Sequence, residues 1–298
     1  MTSCSGILLI DKVAGPTSFD VVKRVRGVLG KKIKVGHAGT LDPFATGLLV
    51  IMVGQGTKLS PYLMSGIKKY YGTMVLGVET DSFDNTGKVV KETDVGAISA
   101  DHIEKVFALF KGKLQQKPPA FSAVKKDGIR AYKLARNGQF VDLKERDIEI
   151  FSFSITDINL PSVSFELVCS AGTYVRSIAS DVGKHLGTGA HLVMLRRLSS
   201  GAFSVDNALS SANITDDIEK TIIGLDDALA WMPGVNIDPN LALRIRNGYQ
   251  PSASELKVDS QGNSFIKASC AGELIAIFKS YSTGDKNYEN LRIDCVFM

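Results

Sequence analysis

The segment Gly47-Leu48-Leu49-Val50-Ile51-Met52-Val53-Gly54 constrains this chain most, because it sets consecutive apolar residues between two glycines. Such a run has no polar side to offer water and has to be buried. It is far short of the roughly 18 residues that a membrane-crossing helix needs, so it reads as a buried strand. A second apolar run, Gly6-Ile7-Leu8-Leu9-Ile10, stops at Asp11 with no basic residue before it. It is too short for the core of a signal peptide and is a second strand candidate.

Around these runs the periodicity alternates between strands and isolated helices. Thr17 or Ser18 can cap a helix whose apolar face is Phe19, Val22, Val25, Val28 and Leu29. Residues 35–46 are punctuated by glycine and proline and read as a loop. Further strands are expected at Tyr70–Val78, Ile148–Ile158, Ser162–Cys169 and His191–Phe203, and helices at Ala100–Phe110, Ala131–Arg136 and Tyr174–Leu186. Lys117-Pro118-Pro119-Ala120 cannot continue a helix. Strand runs interrupted by single helices favour an α+β fold over a regular βαβ alternation. A chain of 298 residues suits about two domains. Met232-Pro233-Gly234 is the best boundary, giving residues 1–234 and a small, mostly β unit over 235–298.

Charge is informative only where it clusters. Residues 23–34 hold six basic side chains and no acid, and residues 105–146 hold eleven bases against three acids. Tyr132 and Phe140 interleave the longer stretch, a pattern suited to a polyanion such as nucleic acid. A solvated helix face joined to a loop would look the same. The cysteines Cys4, Cys169, Cys270 and Cys295 show neither a C-x-x-C pair nor zinc spacing. A reduced, cytoplasmic setting is their simplest reading.

Three segments are candidates for chemistry. In Gly36-His37-Ala38-Gly39-Thr40-Leu41-Asp42-Pro43-Phe44-Ala45-Thr46-Gly47 a carboxylate sits mid-loop among glycines that let a ligand approach the backbone. Asp-Pro is also a common turn initiator. Lys68-Lys69-Tyr70-Tyr71 combines bases with rings that can stack on a nucleobase, or is an amphipathic strand with one buried tyrosine. Gly172-Thr173-Tyr174-Val175-Arg176-Ser177 opens a helix, and Arg176 either pairs with a buried carboxylate or lies on the surface.

Taken together, these segments resemble the bacterial tRNA pseudouridine-55 synthases, the TruB family of uridine isomerases. The resemblance runs over nearly the whole chain. It starts at Leu8-Leu9-Ile10-Asp11-Lys12 with Gly15-Pro16-Thr17-Ser18 and the Gly36–Gly47 loop, and takes in the 68–87 segment. It continues through Pro118-Pro119-Ala120-Phe121-Ser122-Ala123-Val124-Lys125, Gly172–Arg176 and Gly189-Ala190-His191-Leu192 to Leu195-Arg196-Arg197-Leu198. Ala38, Phe44 and Phe121 stand where the family often has threonine, leucine and tyrosine.

The resemblance implies a pseudouridine-synthase fold with a central mixed, largely antiparallel sheet, and a PUA-like RNA-binding β domain over 235–298. It implies conversion of uridine 55 in the tRNA T loop to pseudouridine without any cofactor or metal. Asp42 becomes the nucleophile and Arg176 its ion-pair partner. Tyr70 stacks on the flipped uracil and takes a proton from the sugar, Tyr174 and Leu195 line the pocket, and His37 fills the space that the flipped nucleotides leave. His191 supports the core near the site. Residues 111–146 become an insertion that grips the RNA, with Lys68, Lys125, Lys126, Arg130 and Arg197 as further RNA contacts. The expected partner is the T arm of tRNA, with no membrane, no obligate protein partner and a monomeric chain. Attack by Asp42 at ribose C1′, at uracil C6, or a glycal route begun at C2′ all stay open. Two other classes compete: an RNA chaperone with an incidental pocket, and a nucleoside hydrolase that would need a second carboxylate, for which Asp84 is a candidate.

Overall fold

A computed structural model describes residues 4–122, 124–126, 128–139, 141–258, 265–282 and 289–298. Along the chain come β1 (Gly6–Lys12), α1 (Ser18–Leu29), β2 (Val35–His37), β3 (Thr46–Val53), α2 (Ser60–Met64), β4 (Lys68–Leu76), β5 (Val78–Thr80) and β6 (Val89–Glu92). Next are α3 (Ala100–Ala108), β7 (Gly112–Gln116), β8 (Lys125–Lys126), β9 (Ile129–Arg130), α4 (Ala131–Arg136), β10 (Arg146–Asn159) and β11 (Ser162–Cys169). Then follow α5 (Val175–His185), β12 (Ala190–Ser200), β13 (Phe203–Ser204), β14 (Leu209–Ser210) and β15 (Gly234–Asn236). The chain closes with α6 (Pro239–Arg246), α7 (Ala253–Leu256), β16 (Phe265–Cys270), β17 (Glu273–Ser282) and β18 (Glu289–Val296).

The main sheet runs β14-β1-β3-β12-β4-β11-β10-β7, with β2 on β3 and β13 on β12. Only the β1–β14 and β3–β12 pairs are parallel, so the sheet is mixed and largely antiparallel as expected. Strand side chains alternate between faces, which explains why β1 and β3 are apolar throughout. Leu8, Ile10, Leu49 and Ile51 enter a core covered by α1, α3 and α5, while Ile7, Leu9, Leu48 and Val50 enter a second core on the opposite face. Around β1 and β3 the sheet is buried on both sides, whereas β4 and β11 bury alternate residues.

The small sheet, β15-β16-β17-β18, supplies that second cover. Leu274, Ile277 and Phe297 join the β1 and β3 side chains, while Ile275, Ala276 and Phe278 face a core of their own with α6 and α7. Tyr62 of α2 hydrogen-bonds Asp294, and Lys58 Nζ donates to the Val296 carbonyl at 2.7 Å. The C-terminal segment therefore shares a core with the large sheet, and it carries two helices that the sequence reading did not anticipate.

Two local expectations change. The apolar face of α1 is Val21, Val22 and Val25, whereas Phe19 is 52% exposed with the Lys23 ammonium 5.1 Å from its ring centre. The 35–46 loop begins as a strand, because Val35, Gly36 and His37 pair with Val53, Met52 and Ile51. No helix among the described residues is long and apolar enough to cross a membrane.

Candidate active site

Asp42 lies in the loop between β2 and β3, and that loop is clamped on both sides of it. The buried Ser18 hydroxyl donates to the Leu41 carbonyl at 3.0 Å and accepts the Leu41 N–H at 2.8 Å. The Lys12 ammonium, fully buried, donates to the carbonyls of Val13 (2.9 Å), Pro16 (2.9 Å) and Pro43 (3.1 Å). Residues 41 and 43 are thus each held by a side chain from the first 18 residues. Burial lowers the Lys12 pKa to about 8, and the charge of Asp42 opposes that shift. Where the loop enters β3, Gly47 has φ +99°, and a Cβ there would lie 2.3 Å from the Arg197 carbonyl oxygen. Glycine alone fits a backbone that turns this tightly against β12.

Arg176 comes from the first turn of α5. Its Nε lies 2.8 Å from Asp42 Oδ2, and its Nη2 donates to Asp42 Oδ1 at 3.2 Å. Its Nη1 donates to the Ser82 carbonyl at 2.8 Å and lies 3.2 Å from Asp84 Oδ2, while Nη2 also donates to the Phe121 carbonyl at 2.9 Å. One guanidinium, 4% exposed, therefore joins two carboxylates and two backbone carbonyls from three loops. Asp84 is fixed in turn, its Oδ1 accepting from the Ser82 hydroxyl, the Thr86 N–H and the Thr86 hydroxyl.

The two carboxylates differ in access. The Asp42 side chain is 33% exposed and the Asp84 side chain 4%. Burial raises the Asp42 pKa, with Arg176 as the main opposing influence and Asp84 adding to the rise. A charge-assisted contact to arginine favours the ionised form. The result is a carboxylate held in place and open on one side.

Near Asp42 the structure places Tyr70, Tyr174 and Leu195 of the expected residues. Tyr70 and Leu195 belong to the same core cluster as Leu41 and Ala45, which flank Asp42. In the β4–β12 register Tyr70 faces Arg197 and Leu195 faces Gly72, so the two side chains are diagonal neighbours. Burial raises the Tyr70 pKa, against an opposing effect of Arg197. Tyr174 caps α5 directly before Val175 and Arg176, and its phenol is likewise raised by burial. His37 ends β2, and its Nδ1 is buried without a hydrogen-bond partner; burial, then Arg197 and Arg130, lower its pKa and keep the ring neutral. His191 Nδ1 contacts the Val78 carbonyl at 2.9 Å. Among the described residues no group of three His, Cys, Asp or Glu side chains is placed to hold a metal ion.

Two expected RNA contacts do not survive. Arg197 is 2% exposed, with Nε donating to the Leu48 carbonyl at 2.7 Å and Nη2 to the Gly39 carbonyl at 3.1 Å. Lys68 is 6% exposed and donates to the carbonyls of Gly66 (2.7 Å) and Met64 (3.2 Å). Both cations satisfy backbone carbonyls and present no face to a phosphate. On the β8–β9 hairpin Arg130 is exposed and Lys126 half-buried. The side chain of Lys125 lies outside the described residues.

Sequence reasoning missed Ser18, Lys12 and Gln116, and it weighed Asp84 only as a hydrolytic partner. A single lysine between an apolar strand and a Gly-Pro turn was the available signal for Lys12.

Comparison with known proteins places the chain in a family. Residues 26–175 match the TruB family pseudouridylate synthase N-terminal domain, and residues 176–230 match the tRNA pseudouridylate synthase B C-terminal domain. A tRNA pseudouridine synthase B of Geotalea uraniireducens is 41% identical, covering 98% of this chain and 97% of that protein. One from Geobacter sulfurreducens is 45% identical over 85% of this chain and 84% of its own. Among solved structures, a Cbf5-Nop10-Gar1 complex contains a chain of the same fold, with TM-score 0.75 and 24% identity over 98% of this chain and 85% of that one. The family matches and these relatives define a pseudouridylate synthase, an enzyme that isomerises uridine within RNA. The chain belongs to the TruB family of these enzymes.

Proposed function

We propose that this enzyme converts uridine 55 in the T loop of tRNA to pseudouridine, with Asp42 as nucleophile and the target base flipped out of the loop. The observation that carries the reading is the half-open Asp42 carboxylate held by the buried Arg176 at 2.8 Å. The relatives are tRNA pseudouridine synthases, which supports tRNA as the substrate.

The chemistry asks for a nucleophile without a hydrolytic water. The N-glycosidic bond breaks, uracil turns within the pocket, and C5 bonds to ribose C1′ as its proton leaves to solvent. Asp42 attacks the sugar and departs again when the carbon–carbon bond forms, a covalent strategy akin to that of retaining glycosidases. Asp84 is bonded by Ser82 and Thr86 and paired with Arg176, so it is committed to structure. Asp84 is therefore not free to activate water, which favours isomerisation over hydrolysis. The buried ring of Tyr70, the half-buried ring of Tyr174 and the side chain of Leu195 supply apolar walls that hold the detached base and keep water away. Flipping costs roughly a few kcal/mol. The neutral His37 ring beside the site is suited to fill the gap in the loop.

The cations Arg130 and Lys126 of the 111–146 insertion serve the phosphates of the T arm, and residues 235–298 act as an accessory RNA-binding module of a monomeric enzyme. The test uses tRNA transcribed with tritium at uracil C5. Release of about one equivalent per tRNA, lost when uridine 55 is replaced by cytidine, would establish reaction and position together. Free uracil as the main product would overturn the reading in favour of hydrolysis.

A further inference from the structure

Gln116, the last residue of the edge strand β7, is 3% exposed, and its amide makes two opposed hydrogen bonds to one residue. Nε2 donates to the Tyr174 carbonyl at 3.0 Å, and Oε1 accepts the Tyr174 N–H at 2.8 Å. Tyr174 is the N-cap of α5, and no side chain of its own caps that helix end. First-turn amides and the cap backbone depend on such outside partners. Gln116 thus holds from across the sheet the point at which the chain turns into the helix carrying Arg176.

The following residues extend this attachment. The Ser177 hydroxyl donates to the Lys117 carbonyl at 3.3 Å, and Arg176 Nη2 donates to the Phe121 carbonyl at 2.9 Å. The start of the basic insertion therefore lies along the first turn of α5. On its other side Gln116 walls a cavity of about 210 Å³ together with Phe110, Leu114, Ile148, Ile178 and His185.

We propose that Gln116 is a positioning residue for the isomerisation: by fixing both backbone groups of Tyr174 it sets the first turn of α5, and with it the Arg176 guanidinium on Asp42. The proposal rests on the reading of Asp42 and Arg176 given above. Gln116 touches neither substrate nor reacting atoms, and its effect passes through Arg176 and Tyr174. A glutamine is suited to this, since one planar amide both donates and accepts.

The test compares Gln116→Leu with wild-type enzyme on C5-tritiated tRNA, measuring single-turnover rate, tRNA affinity by filter binding, and melting temperature. The expected result is a rate about 10- to 100-fold lower with tRNA affinity within about threefold of wild type. In an Arg176→Lys background the same substitution should cost less than about threefold more, because the two residues act as one unit. A wild-type rate in Gln116→Leu, a loss confined to tRNA affinity, or a full loss added on top of Arg176→Lys would each overturn the proposal. Should Gln116→Leu fail to fold, Gln116→Glu replaces it, since the carboxylate keeps the shape and the acceptor and lacks only the donor. Failure of both to fold would also overturn it, because Gln116 would then be a general structural residue. An absence of tritium release from wild-type enzyme would instead sink the reading on which the proposal rests.

Discussion

Arg176 and Asp84 form an ion pair in which both side chains are 4% exposed, with Nη1 3.2 Å from Oδ2. It uses the guanidinium nitrogen that Asp42 leaves free. One buried positive charge is thereby shared by two carboxylates, and only the Asp42 carboxylate has an open side. Asp84→Asn should leave the guanidinium less firmly aimed and lower the single-turnover rate by about 10- to 100-fold with little change in tRNA affinity. Breaking a buried pair costs about 3–5 kcal/mol of stability, so the melting temperature should fall as well. Because the Asp84 charge raises the Asp42 pKa, the acid limb of the rate profile should move to lower pH in the variant. Rate profiles and thermal melts check all three outcomes.

Ser18 bridges the N–H and the carbonyl of Leu41, the residue before Asp42. Removing the hydroxyl in Ser18→Ala leaves two backbone groups without that partner, at about 1–3 kcal/mol for each group left unsatisfied. A lower melting temperature is expected together with a slower single-turnover rate, because the loop carrying the proposed nucleophile loosens. A variant melting like wild type would show that Leu41 is held by other contacts.

The buried ammonium of Lys12 sets the pH response on the alkaline side. Its pKa is lowered to about 8, so native enzyme loses this proton well before the unfolded chain does. Above that pH the unfolded chain binds more protons, so this group's contribution to stability rises with pH between about 8 and about 10.4. Turnover should move the other way. A neutral amine has two donors for the three carbonyls at Val13, Pro16 and Pro43 and no charge beside Asp42. Single-turnover rates should therefore decline above about pH 8 without a matching fall in melting temperature. Lys12→Met should lose that decline and run at a lower, flat rate.

The surface cations can be separated from the buried ones by salt. Arg130→Gln should weaken tRNA binding and reduce the slope of log affinity against log salt by about one contact. Lys68→Gln and Arg197→Gln should leave that slope unchanged and lower the melting temperature, since both side chains bond backbone carbonyls inside the fold. Equal changes in slope for all three would contradict this burial-based assignment.

The strands and helices around the site were legible because β1, β3 and β11 carry runs of consecutive or alternating apolar residues and Gly187 follows the end of α5. The pairing of Asp42 with Arg176 was legible only through the family's ordered motifs, since a stretch of 133 intervening residues carries no local signal of contact. Burial of basic residues was not legible. Lys68 and Arg197 look like surface cations in sequence, and only the tertiary course of the chain supplies the carbonyls that pay for enclosing them. Phe19 fits the helical apolar stripe through Val22 but lies outside the core, where Val21 takes its place. Gln116 and Ser18 gave no warning either, because a clamp on backbone atoms leaves no pattern in side-chain chemistry.

The most direct test of the account is the single-turnover release of C5 tritium from tRNA by Asp42→Asn, alongside tRNA affinity measured on the same preparation. The substitution removes the attacking oxygen and keeps the size of the side chain. The account predicts release at the background rate with tRNA affinity within about threefold of wild type. Tritium release at the wild-type rate would contradict it and return the nucleophile's role to another residue.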